Sequence, residues 1–200
     1  MPFTLESLTR DIACFGPLMD TIKLLIGEPM GLNLALTVWR STSWTWHQDD
    51  YLNPSYINCH YAADWIALED TDPNSGLFEF VPGSHKWPLI RGSKVQALLP
   101  EESRFETGWL LHAEKLITGL FDRKIEETNS TIERFEAKKG DVLIWHGRLA
   151  HRGSIPKNSE LERRSLIAHY SSIAKRKDLL RLRRHGNEGR YFLLKDSETR

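Results

Sequence analysis

Trp44-Thr45-Trp46-His47-Gln48-Asp49-Asp50 is the stretch on which the reading of this chain turns. On an extended segment, residues two apart share a face, so His47 and Asp49 would present an imidazole and a carboxylate side by side. Completed by one distant histidine, those ligand types make the 2-His-1-carboxylate set that holds non-haem iron(II). Alone, His-x-Asp is a weak signal. It gains meaning only if the fold returns a remote histidine to the same mouth.

The chain around it is mostly strand-like. Leu32 to Arg40, Tyr56 to Leu68, Leu77 to Val81, Thr131 to Ala137, Val142 to His146 and Ser165 to Tyr170 are rich in β-formers. Turn formers separate them at Asn53-Pro54-Ser55, Asp70 to Gly76, Pro82 to His85 and Lys138 to Asp141. Residues 5–27 carry a helical apolar stripe of Leu5, Leu8, Ile12, Phe15 and Leu18, extended by Ile22, Leu25 and Ile26 and interrupted at Gly16-Pro17. The stretch from about Lys86 to Phe121 reads as an insertion or lid, with a helix over Glu106 to Leu120. From Lys175 the chain is basic, with a helix expected over Asp178 to Arg184 and a solvated face. This pattern predicts one mainly β domain with packing helices, a sandwich or jelly roll. Its expected parts are a helical lead-in (1–30), a core (about 32–172) and a basic tail (173–200).

Composition excludes several classes. Lys plus Arg (27) equals Asp plus Glu (27), so no global field draws nucleic acid or anionic membrane. No apolar run approaches the ~20 residues of a membrane span, and no basic segment followed by an apolar run marks a leader. Cys14 and Cys59 form neither a CxxC nor a disulfide framework, which fits a reduced cytoplasmic setting. Seven Trp point to an aromatic interior or pocket. GxSxG, P-loop and HExxH motifs are absent.

Two histidines follow the Val142–His146 strand, and either His146 or His151 can supply the third ligand. Arg163-Arg164 comes twelve residues after His151, room for a Pro156-containing turn and a returning strand. A guanidinium there can clamp a carboxylate with two parallel hydrogen bonds. 2-Oxoglutarate has one end that chelates a metal and a second carboxylate that needs such a clamp.

Taken in order, Trp46-His47-Gln48-Asp49, Trp65-Ile66-Ala67-Leu68-Glu69-Asp70, Ser75-Gly76-Leu77 with Pro82-Gly83-Ser84-His85, Gly140-Asp141-Val142-Leu143, His151 and Arg163 resemble the phytanoyl-CoA dioxygenase family. The resemblance covers roughly Leu32 to Tyr170. It implies a double-stranded β-helix (jelly roll, cupin-like) that uses Fe(II), 2-oxoglutarate and O2 to hydroxylate a small-molecule substrate, releasing succinate and CO2. It implies His47, Asp49 and His151 as iron ligands, Arg163 as the 2-oxoglutarate clamp, and Gln48 and Trp65 near the cosubstrate. Family members usually carry a further N-terminal segment, which this chain is expected to lack. The rival reading is a non-catalytic jelly-roll module with a degenerate metal site, against which the intact set of four residues argues. Retained Asp49 disfavours halogenation; His85 reads as bonding locally in its turn, His60 as a satisfied core histidine, and His169 as an interior-facing residue of its strand.

Overall fold

The computed structural model describes residues 6–43, 45–106, 109–177, 181–187 and 189–193. Two helices lead in, α1 (Ser7–Ala13) and α2 (Gly16–Ile26), separated where the sequence has Gly16-Pro17. Pro17 sits in the first turn of α2, where its missing N–H costs nothing, and Gly27 ends the helix in the left-handed region. This break resets the helical phase. Ala13, Cys14, Met19 and Ile22 are buried, whereas Leu8 and Phe15 of the expected stripe are exposed and Leu5 lies outside the described residues.

The strands form two sheets. The larger has the order β5-β2-β7-β1-β9-β8, built from β1 (Met30–Val38), β2 (Tyr61–Ala67), β5 (Val142–His146), β7 (Ser165–Ser172), β8 (Arg181–His185) and β9 (Gly189–Leu193). The smaller is β4-β3-β6, from β3 (Phe78–Phe80), β4 (Glu133–Phe135) and β6 (His151–Gly153). Between β3 and β4 come α3 (Gly92–Ala97), α4 (Glu101–Arg104) and α5 (Trp109–Glu127), the expected insertion. The architecture is the jelly roll anticipated from the sequence.

Period-two alternation sorts the larger sheet into two faces. Ala63, Trp65, Ala67, Leu143, Trp145 and Ile167 point inward and meet Phe78, Phe80 and Phe135 of the smaller sheet. Ala62, Ile66, Leu166, Ala168 and Tyr170 point outward and are covered by α1 and α2. A third cluster packs Ala113, Ile117 and Phe121 of α5 over Trp46, Tyr51 and Val81. The insertion therefore roofs the segment that carries His47 and Asp49.

The tail departs from expectation. Residues 178–180 lie outside the described set, but Arg181–His185 is a strand, not a helix, and pairs with β9 across a turn at Gly186. The hairpin joins the larger sheet through β1, and Phe192 is buried over Gly31. Pairing and burial of the aromatic side outweigh the solvation expected of a basic tail. Among the described residues no helix is long and apolar enough to cross a membrane.

Candidate active site

The segment 45–49 is not an extended strand. His47 and His151 form a single antiparallel bridge, with backbone N–O distances of 3.1 and 3.0 Å, and the chain then turns. Asp49 already has helical dihedrals (φ −73, ψ −24) and leads a 3-10 turn over Asp50–Leu52. Bridge and turn, rather than strand alternation, bring the imidazole and carboxylate together. The expected geometry is reached by another route.

Ligand atoms of His47, Asp49 and His151 lie within 4.8 Å of one another. His47 Nε2 is 3.8 Å and His151 Nε2 3.9 Å from the same oxygen, Asp49 Oδ1. Each ring is oriented from behind. His47 Nδ1 meets the Thr45 carbonyl at 2.8 Å and His151 Nδ1 meets the Leu149 carbonyl at 3.0 Å. Both Nδ1 atoms therefore carry a proton, and both Nε2 atoms face Asp49. Trp145 donates its indole N–H to Asp49 Oδ2 at 2.9 Å, leaving Oδ1 for the centre. Phe78 stacks on His151 at 5.1 Å.

The electrostatics suit a cation. Burial, then His151, push the His47 imidazole down to about 3, so it stays neutral. Burial raises Asp49, but His151, His169, His47 and the Trp145 N–H outweigh it and hold the carboxyl below its ordinary value. Among the described residues no Lys or Arg lies within 4.0 Å of Asp49. Two imidazole nitrogens and one carboxylate oxygen thus converge in a buried pocket, a donor set suited to a divalent transition metal. His146 is elsewhere, on the opposite face of β5, with its ring 6.1 Å from His85.

Arg163, just before β7, is buried, and burial lowers its guanidinium to about 10, still charged at neutral pH. Its backbone N–H bonds Trp39 O, and Nη1 donates to the carbonyl of Gly76. Gly76 has φ +81, and a Cβ there would come 2.5 Å from Ser154 O, so glycine permits this close approach. Among the described residues no carboxylate pairs with Arg163, and its Nε has no acceptor. Two neighbours share the condition: Trp65 Nε1, whose ring lies 5.7 Å from the guanidinium, and Ser165 Oγ. A buried charge without a partner is costly. Three unfilled donors around it fit a carboxylate, the group that 2-oxoglutarate would place there. Arg164 differs entirely, being exposed and paired with Glu69 and Glu162.

Gln48 is buried with its amide nitrogen 2.5 Å from Arg148 O, which ties the His-x-Asp segment to the turn before β6. His60 sits against Glu28. His169 is buried, and its Nδ1 has no partner. Ser165, Trp145 and His169 escaped the motif reading, although period-two spacing from Arg163 along β7 points to Ser165 and His169.

Fold and side-chain cluster together define a double-stranded β-helix with a candidate metal centre at its mouth. The chain belongs to the phytanoyl-CoA dioxygenase (PhyH) family, whose profile matches residues 39–165. It is 26% identical over 171 residues to a probable alpha-ketoglutarate-dependent hypophosphite dioxygenase of Stutzerimonas stutzeri, covering 84% of this chain and 53% of that protein. It is 25% identical over 170 residues to the peroxisomal phytanoyl-CoA dioxygenase of Bos taurus, covering 84% and 44%. The chain thus spans about half the length of the curated relatives it matches. Its fold resembles that of the epimerase SnoN, solved with Fe3+, alpha ketoglutarate and nogalamycin RO, with a TM-score of 0.60 at 18% identity over 96% of this chain and 73% of that one.

Proposed function

We propose that the chain is the core of an Fe(II)- and 2-oxoglutarate-dependent dioxygenase that hydroxylates an unactivated C–H bond of a small molecule. The observation that carries the reading is the pairing of two unmet demands. Ligand atoms of His47, Asp49 and His151 converge within 4.8 Å of one another, and Arg163 lies buried with no carboxylate of the described residues beside it. Iron(II) and 2-oxoglutarate answer both at once.

When bound, these groups and O2 supply the oxidising chemistry, with 2-oxoglutarate leaving as succinate and CO2. The protein's part is placement. The Thr45 and Leu149 carbonyls fix the tautomers of His47 and His151, and Trp145 fixes the rotation of Asp49. Arg163, Ser165 and Trp65 offer donors to the distal carboxylate. Trp65, Phe78 and Trp145 keep water from the space between the sheets.

The substrate side is the cavity of about 310 Å³ beside the His-x-Asp turn, lined by Asp50, Tyr51, Leu89, Ile90 and Trp109. Its size suits a small molecule. Asp50 is buried there and bonded to Arg148 through Oδ2.

The test is an anaerobic titration of purified protein with Fe(II) and 2-oxoglutarate. A weak visible metal-to-ligand charge-transfer band is expected; His151→Ala should abolish it and Arg163→Ala should weaken 2-oxoglutarate binding at least tenfold. A folded wild-type protein that gives no band would sink the proposal.

A further inference from the structure

The inner face of β7 has a polar-apolar-polar pattern that the reading above uses only at one end. Alternation turns Ser165, Ile167 and His169 inward, opposite Ala67, Trp65 and Ala63 of β2. Ser165, beside Arg163, has an unpartnered hydroxyl. Ile167 packs with the apolar inter-sheet cluster. His169 then presents a second buried, unpartnered donor or acceptor, Nδ1. Same-face residues four apart on a strand stand about 13 Å apart.

His169 stands at the metal end of this row. Its ring lies 5.7 Å from Tyr61 and 6.3 Å from Trp145, the residue that orients Asp49. It is close enough to Asp49 and His151 to interact with both electrostatically, yet its nitrogens lie outside the cluster of converging ligand atoms. That is the position of a group that touches a molecule bound to the metal rather than the metal itself. A buried histidine nitrogen with no partner is uncommon in a folded protein and calls for an explanation.

We infer that His169 is the second anchor for 2-oxoglutarate: its Nδ1–H donates to the carboxylate at the oxoacid end, while Arg163 and Ser165 hold the other. This rests on the dioxygenase reading of the same site. The β7 inner face then acts as a ruler for a five-carbon oxodiacid, with donors at both ends and an apolar residue between.

The experiment is anaerobic titration of 2-oxoglutarate into Fe(II)-loaded wild type, His169→Phe and His169→Asn, followed by the charge-transfer band. Cobalt(II) titration without 2-oxoglutarate serves as the readout of the metal ligands alone. Phenylalanine keeps the ring packing but has no N–H; the asparagine amide nitrogen can stand where Nδ1 stands. His169→Phe should raise the 2-oxoglutarate Kd about tenfold and shift the band, with cobalt affinity within threefold of wild type. His169→Asn should return to within threefold of wild type. If His169→Phe has the wild-type Kd and band, the anchor does not exist. If cobalt affinity falls in parallel with 2-oxoglutarate affinity, His169 acts through the ligand set and the inference is overturned. Absence of the band in wild type itself would instead remove the dioxygenase reading.

Discussion

On the outer face of the β2–β7 ladder, Asp64 is fully buried against Tyr170; on the inner face, Arg163 is buried with no acid beside it. The outer pair is joined through Asp64 Oδ2, while Asp64 Oδ1 has no partner. Tyr170 Oη lies 2.7 Å from both Asp64 Oδ2 and the Ala13 carbonyl, yet a hydroxyl has one proton to give. If Tyr170 donates to Ala13 O, the second proton belongs to Asp64. Burial indeed raises Asp64 from 3.8 to about 7, against the opposing hydrogen bonds from Tyr170 and Ala168. An acid can escape a dry interior by keeping its proton. Arginine, lowered only to about 10, has no such exit near neutral pH. The same sheet thus holds one buried group that can shed its charge and one that keeps it and calls for an anion.

The outer face gives the largest expected effect. Asp64 binds its proton more tightly in the folded protein than in the unfolded chain. Its contribution is therefore fully present below about pH 4 and is lost as pH rises to about 7, up to roughly 4 kcal/mol in all. Urea unfolding at pH 5 and pH 8 should show that Asp64→Asn removes this loss and gains on wild type at the higher pH. Identical pH dependence of the two proteins would mean that Tyr170 does not share a proton with Asp64.

The inner face should respond to a ligand rather than to pH. Arg163→Met removes a buried charge that the ligand-free protein does not compensate. The variant is expected to be more stable than wild type without ligand, by about 1–2 kcal/mol. Calorimetric melting with and without 2-oxoglutarate checks this: wild type should rise on adding Fe(II) and 2-oxoglutarate, and the variant should not respond to the oxoacid. A destabilised variant would show that Arg163 is held for the fold, through Gly76, rather than for a ligand.

How far the sequence disclosed these faces follows from the reach of each signal. Alternation in Val142–His146 and Ser165–Tyr170 is local and survives folding, so these strands and the jelly roll were readable. His47 and Asp49 stood out as a His-x-Asp pair, but residue chemistry left His146 and His151 both open; only the family resemblance favoured His151, the one that the fold brings within 4.8 Å of the pair. The α1 stripe was not, because the break at Gly16-Pro17 rotated Leu8 and Phe15 outward. Nor was β8, whose strand state depends on pairing with β9 rather than on its own residues. The Asp64–Tyr170 pair and the orphaned His169 nitrogen depend on what faces them across the sheet and beneath a helix. No spacing along the chain encodes that.

Trp145 sharpens the comparison from within the inner face, because it is the donor there that does have a partner. Its indole N–H is committed to Asp49 Oδ2, whereas Trp65, one strand away, has nothing to bond. Trp145→Phe keeps the ring against Phe78 and His151 but frees the carboxylate to rotate. Partners that orient metal ligands from behind are worth about 10–100-fold in metal affinity, so cobalt(II) binding should weaken by that factor. Trp65→Phe should leave cobalt affinity unchanged and weaken 2-oxoglutarate binding instead. If both substitutions moved the same quantity, the metal-orienting and cosubstrate-binding donors would not be separate, and the inner face would act as one undivided network.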